Sequence, residues 1–284
     1  MRISIILPAK NEAAGLGKIL PRLRQLYPDA EIIVVDDGST DDTAELARRL
    51  TCKVVQHPYS KGNGAAIKSG ARAAQGDVLV FMDADGQHQP EDIPRLLAHL
   101  QRGYDMVVGA RGGSGQANRH RAVANALYNH LASWVVEHEI PDLTSGFRAV
   151  DAVKFKRFLS LLPNGFSYPT TITMSFFRAG YSVDYLPIEA ARRSGRSHIR
   201  VLRDGFKFFM IIFKIATLYS PLKLFLPISF SFFMTGVAYY TYTFLSFHRL
   251  TIMSALLFIT AVLVFLMGLI SEQITALYFK NSED

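Results

Sequence analysis

The sequence predicts an α/β protein: a mainly parallel sheet domain, then an interfacial helix and two transmembrane helices. Three observations carry this expectation. Short apolar runs alternate with helical patterns through roughly the first 110 residues, as in βαβ units. Two long apolar stretches close the chain, residues 222–247 and 252–270, the second without a charge and long enough to cross a bilayer. Between them and the sheet lies a basic, Phe-rich segment of the kind that rests on a membrane surface. The predicted organisation is a cytoplasmic domain at 1–198, an amphipathic helix at 199–219, and a helical hairpin with a short tail at 220–284.

Residues 3–7, 32–35, 53–56, 78–82 and 106–108 read as strands, and residues 13–26, 41–50, 63–74 and 90–101 as helices. The run Val78-Leu79-Val80-Phe81-Met82 is apolar throughout, as expected of a strand covered on both faces. It ends in Asp83-Ala84-Asp85-Gly86-Gln87, with Pro90 at a plausible helix start. Two hard oxygen ligands at such a strand end suit Mg²⁺ or Mn²⁺ on a diphosphate; taken alone, they equally suit a turn and cap. Other polar loops follow the earlier strands: Pro8-Ala9-Lys10-Asn11-Glu12, Asp36-Asp37-Gly38-Ser39-Thr40-Asp41, and Ser60-Lys61-Gly62-Asn63-Gly64. Parallel strands bring these loops to one carboxyl edge, where open α/β sheets bind ligands. Asp36 and Asp37 are candidates to hold a base and ribose, or to form a turn. The Lys61 loop lacks the full glycine pattern of a phosphate fingerprint.

A helix is predicted from about 120 to 137, where Arg119, His120 and Arg121 either approach phosphate or form a solvated face. Asp142, Ser145 and Arg148 flank Gly146, a phosphate cradle or a tight turn with a structural arginine. After a strand at 183–188 come Arg192, Arg193 and Arg196 around Gly195; guanidinium forks match phosphate bidentately. The net charge of +7 is concentrated here, with Asp204 the one acid between Arg192 and Lys223. Its position beside apolar segments favours an anionic bilayer over nucleic acid. A single cysteine, Cys52, excludes an intrachain disulfide or a cysteine metal cage.

The four early loops together resemble an inverting family 2 glycosyltransferase of GT-A, Rossmann-like fold. Asp142-Leu143-Thr144-Ser145-Gly146-Phe147-Arg148 and Arg192-Arg193-Ser194-Gly195-Arg196-Ser197 are similar to the polyprenyl-phosphate branch, which includes dolichyl-phosphate mannose synthases and bacterial undecaprenyl-phosphate glucosyltransferases. The likeness spans about residues 1–200, with His198 standing where that branch usually has lysine. The resemblance implies hexose transfer from a GDP- or UDP-hexose to a polyprenyl phosphate. It implies Mg²⁺ or Mn²⁺ on Asp83, Asp85 and Gln87, with Asp85, Asp142 and Arg148 catalytic. Pro8, Ala9, Asn11, Glu12, Asp36, Asp37, Lys61, Asp83 and Ala84 would bind the donor nucleotide. Arg111, Ser145, Arg148, Arg192, Arg193 and Arg196 would bind the acceptor phosphate.

Arg249 is the only fixed cation of the connector 246–251, whereas the flank before the first span is strongly basic. The positive-inside rule therefore predicts an integral protein of a bacterial inner membrane with both ends cytoplasmic, consistent with the absence of a leader-type N-terminus. The hairpins of several copies could pack together. Glu272 near the end of the second span snorkels or serves function. Rival readings are a processive polysaccharide synthase, a family 2 transferase with another acceptor, a nucleotidyltransferase, and a non-catalytic adaptor. The lone tryptophan, Trp134, is not in a Gln-x-x-Arg-Trp element, which argues against processivity.

Overall fold

The computed structural model describes residues 1–111, 119–165, 168–189, 213 and 216–280, with side chains omitted at 119–125, 127 and 278–280. The chain forms two compact units, Met1–Ser133 with His138–Ile199, and Trp134–Glu137 with Arg200–Asp284.

The first unit runs β1 (Ile3–Ala9), α1 (Ala13–Leu26), β2 (Glu31–Asp36), α2 (Thr43–Arg49), β3 (Lys53–Gln56), α3 (Asn63–Ala73) and β4 (Val78–Phe81). A 3₁₀ turn at Pro90–Asp92 leads into α4 (Ile93–Gln101), β5 (Met106–Arg111) and α5 (Arg119–Val136). There follow β6 (Arg148–Asp151), α6 (Ala152–Arg157), α7 (Tyr168–Arg178) and β7 (Val183–Ile188). The seven strands are ordered β3-β2-β1-β4-β6-β5-β7. All neighbours are parallel except β6, which runs antiparallel between β4 and β5. The expected mainly parallel sheet is present, and β6 is the strand that the sequence reading leaves out.

Both faces of the sheet are covered, which is why its central strands tolerate unbroken apolar runs. Ile5, Ile6 and Leu7 are all fully buried. Ile5 and Leu7 join the core formed with Leu16, Leu20, Leu23, Ile93 and Leu96 of α1 and α4. Ile6, on the opposite face, lies against α3, where a Cβ on Gly70 would come within 2.4 Å of it. On that second face Phe81 meets Phe155 of α6, ring centroids 4.7 Å apart.

Because β6 is antiparallel, it enters the sheet at the edge where β4 leaves it: Phe81 pairs with Arg148, and Val108 with the same residue. The segment 142–147 is thereby held above the carboxyl ends of β4 and β5. This topology brings a distant sequence motif to the carboxylates that follow β4.

The second unit contains α8 (Pro221–Phe247) and α9 (Ile252–Lys280), joined at His248, whose φ of 52° closes the first helix in the left-handed region. The helices pack through small residues: Gly236 against Phe258, Gly268 against Phe225, and Ser229 Oγ donating to Ala261 O at 2.8 Å. Their outward faces carry exposed Phe230, Leu245, Leu256, Val262 and Leu277. Pro221–Phe247 and Ile252–Leu277 are each long and apolar enough to cross a membrane. Glu272 accepts a hydrogen bond from the Leu222 amide at 3.3 Å, a favourable place for a carboxylate at a helix N-terminus. Most of the predicted amphipathic helix at 199–219 lies outside the described residues.

Candidate active site

The buried strand β4 delivers Asp83 and Asp85 to the carboxyl edge of the sheet. Three close approaches fix the loop that carries them. A Cβ on Gly15 of α1 would stand 2.2 Å from Ala84 O, so the first turn of α1 lies on the loop backbone. A Cβ on Gly146 would stand 3.1 Å from both Asp83 carboxylate oxygens, so that glycine admits the carboxylate to the space beside β6. The Gln87 amide donates to Asp85 Oδ1 at 3.1 Å, turning the chain through Gly86 at φ 79°. Neither Asp83 nor Asp85 forms an ion pair with a described residue. Burial raises the pKa of Asp83; the fields of His88, Arg111 and Arg148 pull it down, and that of Asp85 pushes it up.

His88 belongs to the same cluster and carried no assignment at the sequence level. It is buried, its ring stacks on Phe147 at 5.0 Å, and its Nδ1 has no hydrogen-bond partner among the described residues. Burial lowers its pKa, against the opposing fields of Asp83 and Asp85. Its place three residues past Asp85 is the only sequence signal that could have found it.

At the β1 and β2 end, the two loops are tied to each other. Asn11, at φ 55°, donates its amide to Ser39 Oγ at 2.9 Å and accepts the Thr40 amide on Oδ1 at 2.8 Å. The Glu12 amide donates to Thr43 Oγ1 at 3.0 Å. Pro8 and Ala9 end β1, where Ala9 O accepts the Asp37 amide at 2.9 Å. Asp36 is fully buried: Oδ1 accepts the Ser39 amide, and Oδ2 has no partner among the described residues.

Asp37 departs from the expectation of a nucleoside ligand. Its Oδ1 accepts from His57 Nδ1 at 2.7 Å and the Lys61 amide at 2.8 Å; its Oδ2 accepts from Ser60 Oγ at 2.7 Å and the Gly62 amide at 2.9 Å. Both oxygens are occupied in holding the loop between β3 and α3. Burial alone would raise this carboxyl, but these hydrogen bonds outweigh it and hold its pKa at about 2. The glycines of that loop are likewise engaged: the Gly64 and Ala65 amides donate to Gly165 O and Asn164 O, so the α3 N-terminus is capped by the protein itself.

Above β5 and β6, Arg111 and Asp142 form a bidentate pair, Nε to Oδ2 at 2.8 Å and Nη2 to Oδ1 at 3.1 Å, and Nη2 also reaches Thr144 Oγ1 at 2.7 Å. Burial would raise the Asp142 carboxyl, yet the Arg111 guanidinium and the Arg111 and Thr144 amides hold it below its ordinary value. Asp142 is therefore an ionised partner that orients Arg111. Ser145 is fully buried and its hydroxyl donates to Gly109 O at 2.6 Å.

Arg148 lies deeper. It is fully buried in β6, its Nη1 donating to Pro169 O and Thr173 Oγ1 at 3.2 Å each and its Nη2 to Ser145 O, with the guanidinium 5.8 Å from the Tyr168 ring. It touches no open surface, which favours the structural arginine of a tight turn over a phosphate ligand. What it supplies is a fixed positive charge behind Asp83. Arg192, Arg193 and Arg196 lie outside the described residues, as does His198.

The donor set fits a hard divalent cation. No group of three or more His, Cys, Asp or Glu side chains is gathered among the described residues, which excludes there an all-protein cage. Two adjacent carboxylates without a cationic partner, beside the part-buried Gln87, leave several coordination positions for phosphate oxygens and water. That is the usual way Mg²⁺ is held.

Fold and site together are those of an α/β nucleotide-binding domain: a sheet edge with anchored loops, a carboxylate pair without an ion-pair partner among the described residues, and Arg111 at the rim. Residues 4–159 match the glycosyl transferase family 2 model and residues 220–277 the GtrB C-terminal hairpin, and the chain belongs to glycosyl transferase family 2, with the GT-A core. It is 33% identical over 207 residues to the polyprenol monophosphomannose synthase of Mycolicibacterium smegmatis, covering 68% of this chain and 78% of that one. It is 31% identical to the undecaprenyl-phosphate mannosyltransferase of Micrococcus luteus, covering 68% of this chain and 85% of that one. With an undecaprenyl-phosphate 4-deoxy-4-formamido-L-arabinose transferase of Pseudomonas fluorescens it shares 34% identity, but spans only 55% of that relative's length. Among solved structures, glucosyl-3-phosphoglycerate synthase from Mycobacterium tuberculosis, crystallised with Mn²⁺, UDP and its product, superposes with a TM-score of 0.60 at 24% identity, covering 76% of this chain and 78% of that one. That likeness establishes the fold.

Proposed function

We propose that this chain transfers a hexose from a nucleoside-diphosphate sugar to a polyprenyl phosphate at the cytoplasmic face of a membrane, with inversion at the anomeric carbon. The observation that carries this is the unpaired Asp83 and Asp85 at the sheet's carboxyl edge, in a chain that also carries two membrane-length helices. The named activities of the Mycolicibacterium and Micrococcus relatives support the acceptor class.

Asp83 and Asp85, with Gln87, would hold Mg²⁺ or Mn²⁺. When bound, the ion supplies Lewis-acid neutralisation of the departing diphosphate. The Pro8–Glu12 backbone and Asp36 line the nucleoside end, and Asp37 keeps the neighbouring loop in place. The acceptor phosphate is itself an anion and needs no general base. What it needs is positive potential that lets two phosphate groups approach. Arg111, held by Asp142, supplies one such charge at the rim, and Arg192, Arg193 and Arg196 supply the others. Arg148 acts from within the core, offsetting the repulsion between the carboxylates.

The test is release of nucleoside diphosphate by the purified chain in detergent, with a panel of UDP- and GDP-hexoses, Mg²⁺ or Mn²⁺, and undecaprenyl or dolichyl phosphate. Release requiring both lipid and metal, lost by at least a thousandfold in Asp85→Ala, is expected. Release that ignores the lipid would transfer the assignment to a soluble acceptor, and a retained anomer would refute direct displacement.

A further inference from the structure

The loop between β3 and α3 presents an exposed aromatic ring on an immobilised backbone. Tyr59 is 66% exposed. The residues around it are held tightly: Asp37 takes the Ser60 hydroxyl and the Lys61 and Gly62 amides, and His57, which bonds Asp37, also bonds Ser69 Oγ of α3 at 2.9 Å. On the other side, a Cβ on Gly38 would come within 2.7 Å of the Ser60 amide and the Tyr59 carbonyl carbon. Gly38 sits at φ 69°, so the β2 loop and the Tyr59 loop lock together. The backbone beneath the ring is thus fixed, although almost nothing covers the ring itself.

Its location separates it from other exposed aromatics. Among the described residues of Met1–Ser133 and His138–Ile199, the large exposed aromatic rings are Tyr59 and Tyr104, and Trp134 at the end of α5 belongs to the second unit. Tyr104 lies before β5, at the amino edge of the sheet. Tyr59 lies after β3, at the carboxyl edge, beside Asp36 and its unpartnered Oδ2. The Lys61 ammonium stands 5.7 Å from the Tyr59 ring centroid, so a flat apolar surface and a cation are offered side by side. A nucleoside diphosphate has that composition: a π face at one end, and negative charge at the other. A solvent-facing ring on an anchored backbone, with only two side-chain torsions, loses little conformational freedom when a base stacks on it.

We propose that Tyr59 is the stacking platform for the nucleobase of the donor, with Lys61 alongside it facing the donor's negative end. The inference rests on the nucleotide-sugar reading above and adds to it the residue that grips the base. Stacking tolerates any base, so Tyr59 sets affinity, and the edge of the base is left to the β2 loop.

The experiment measures binding of UDP, GDP and inorganic pyrophosphate, each with Mn²⁺, to the full chain in detergent by calorimetry. It compares the wild type with Tyr59→Ala, Tyr59→Phe and Tyr59→Trp, and follows each variant's melting temperature. Tyr59→Ala is expected to weaken the preferred nucleoside diphosphate about tenfold while leaving its pyrophosphate affinity and melting temperature unchanged. Phe and Trp at this position should retain affinity within about twofold, because the ring, not the hydroxyl, does the stacking. Equal nucleotide affinity in Tyr59→Ala would overturn the proposal. So would an equal loss for pyrophosphate, or a lowered melting temperature that accounts for the loss, since the ring would then be maintaining the loop. If the wild type binds neither UDP nor GDP, the donor reading itself fails, a result distinct from failure of Tyr59.

Discussion

Asp37 and Arg148 show how far a side chain's partners decide its task. The unfolded Asp37 carboxyl titrates near 3.8 and the folded one at about 2. Its depressed pKa means the ionised form is favoured by the fold. The associated stability is present above about pH 4 and is lost as pH falls through about 2, and it amounts to about 2 kcal/mol. Asp37→Asn should therefore melt lower than the wild type at pH 7, and the gap should narrow by about that amount between pH 5 and pH 2. A gap independent of pH would mean the hydrogen bonds do not depend on the charge. Arg148 is the complementary case, a charge with three oxygen acceptors and the Met106 sulfur around it and no open face. Truncation to Ala leaves a cavity and removes the donors to Ser145 O, Pro169 O and Thr173 Oγ1, and is expected to cost about 3–5 kcal/mol. Protein that remains folded at reduced temperature should keep its KM for polyprenyl phosphate within about twofold. A tenfold rise in that KM at unchanged stability would return Arg148 to the acceptor site. The sequence leaves both roles open: Asp-Asp-Gly-Ser reads as a base and ribose site or as a turn, and Ser-Gly-Phe-Arg as a phosphate cradle or a tight turn with a structural arginine. The motif marks the right place, and only the three-dimensional partners show which of its members face the ligand.

Elements with a strong local signature are the ones the sequence reading locates. The continuous apolar runs identify β1 to β5, and the capping and apolar spacing identify α1 to α4, with ends shifted by a few residues. The misses share a physical cause. β6 is four residues long with an arginine at its start, so its strand character arises from pairing with β4 and β5, not from an apolar run. α7 contains Thr170, Thr171, Ile172 and Thr173, β-branched residues that disfavour helix locally. Burial of the whole segment overrides that preference. Contact between elements is equally hidden: nothing in the sequence shows that Gly15 of α1 lies against Ala84 O. Gly15→Ala should therefore displace the loop that carries both carboxylates. The expected effects are a loss of about 1–3 kcal/mol and a fall of tenfold or more in kcat. Gly17→Ala, one half-turn on, meets only Leu46 Cδ2 at 3.7 Å and should leave kcat unchanged while gaining a few tenths of a kcal/mol or more from helix propensity. Equal activity in the two variants would show that α1 does not position the loop.

For the whole molecule, a transferase joining a water-soluble donor to a lipid phosphate must hold its soluble unit at a bilayer, and the hairpin's orientation sets which side. At 27 and 29 residues, α8 and α9 extend about 40 Å each, more than the roughly 30 Å hydrocarbon core. Each can therefore reach the headgroups at both ends. Two such spans return the chain to the side from which it entered. By the positive-inside rule, the basic stretch preceding α8, set against the single Arg249 in the connector, predicts that this side is the cytoplasm. A lone native cysteine makes the assignment testable with little background, because Cys52 is buried and can be replaced by Ser. In that background Ser246→Cys, in the exposed last turn of α8, is expected to react with a membrane-impermeant maleimide added outside intact cells. Ser282→Cys, in the tail, should react only after the membrane is permeabilised. The opposite pattern would place the soluble unit away from cytoplasmic nucleotide sugars and remove the donor supply that the proposed reaction requires.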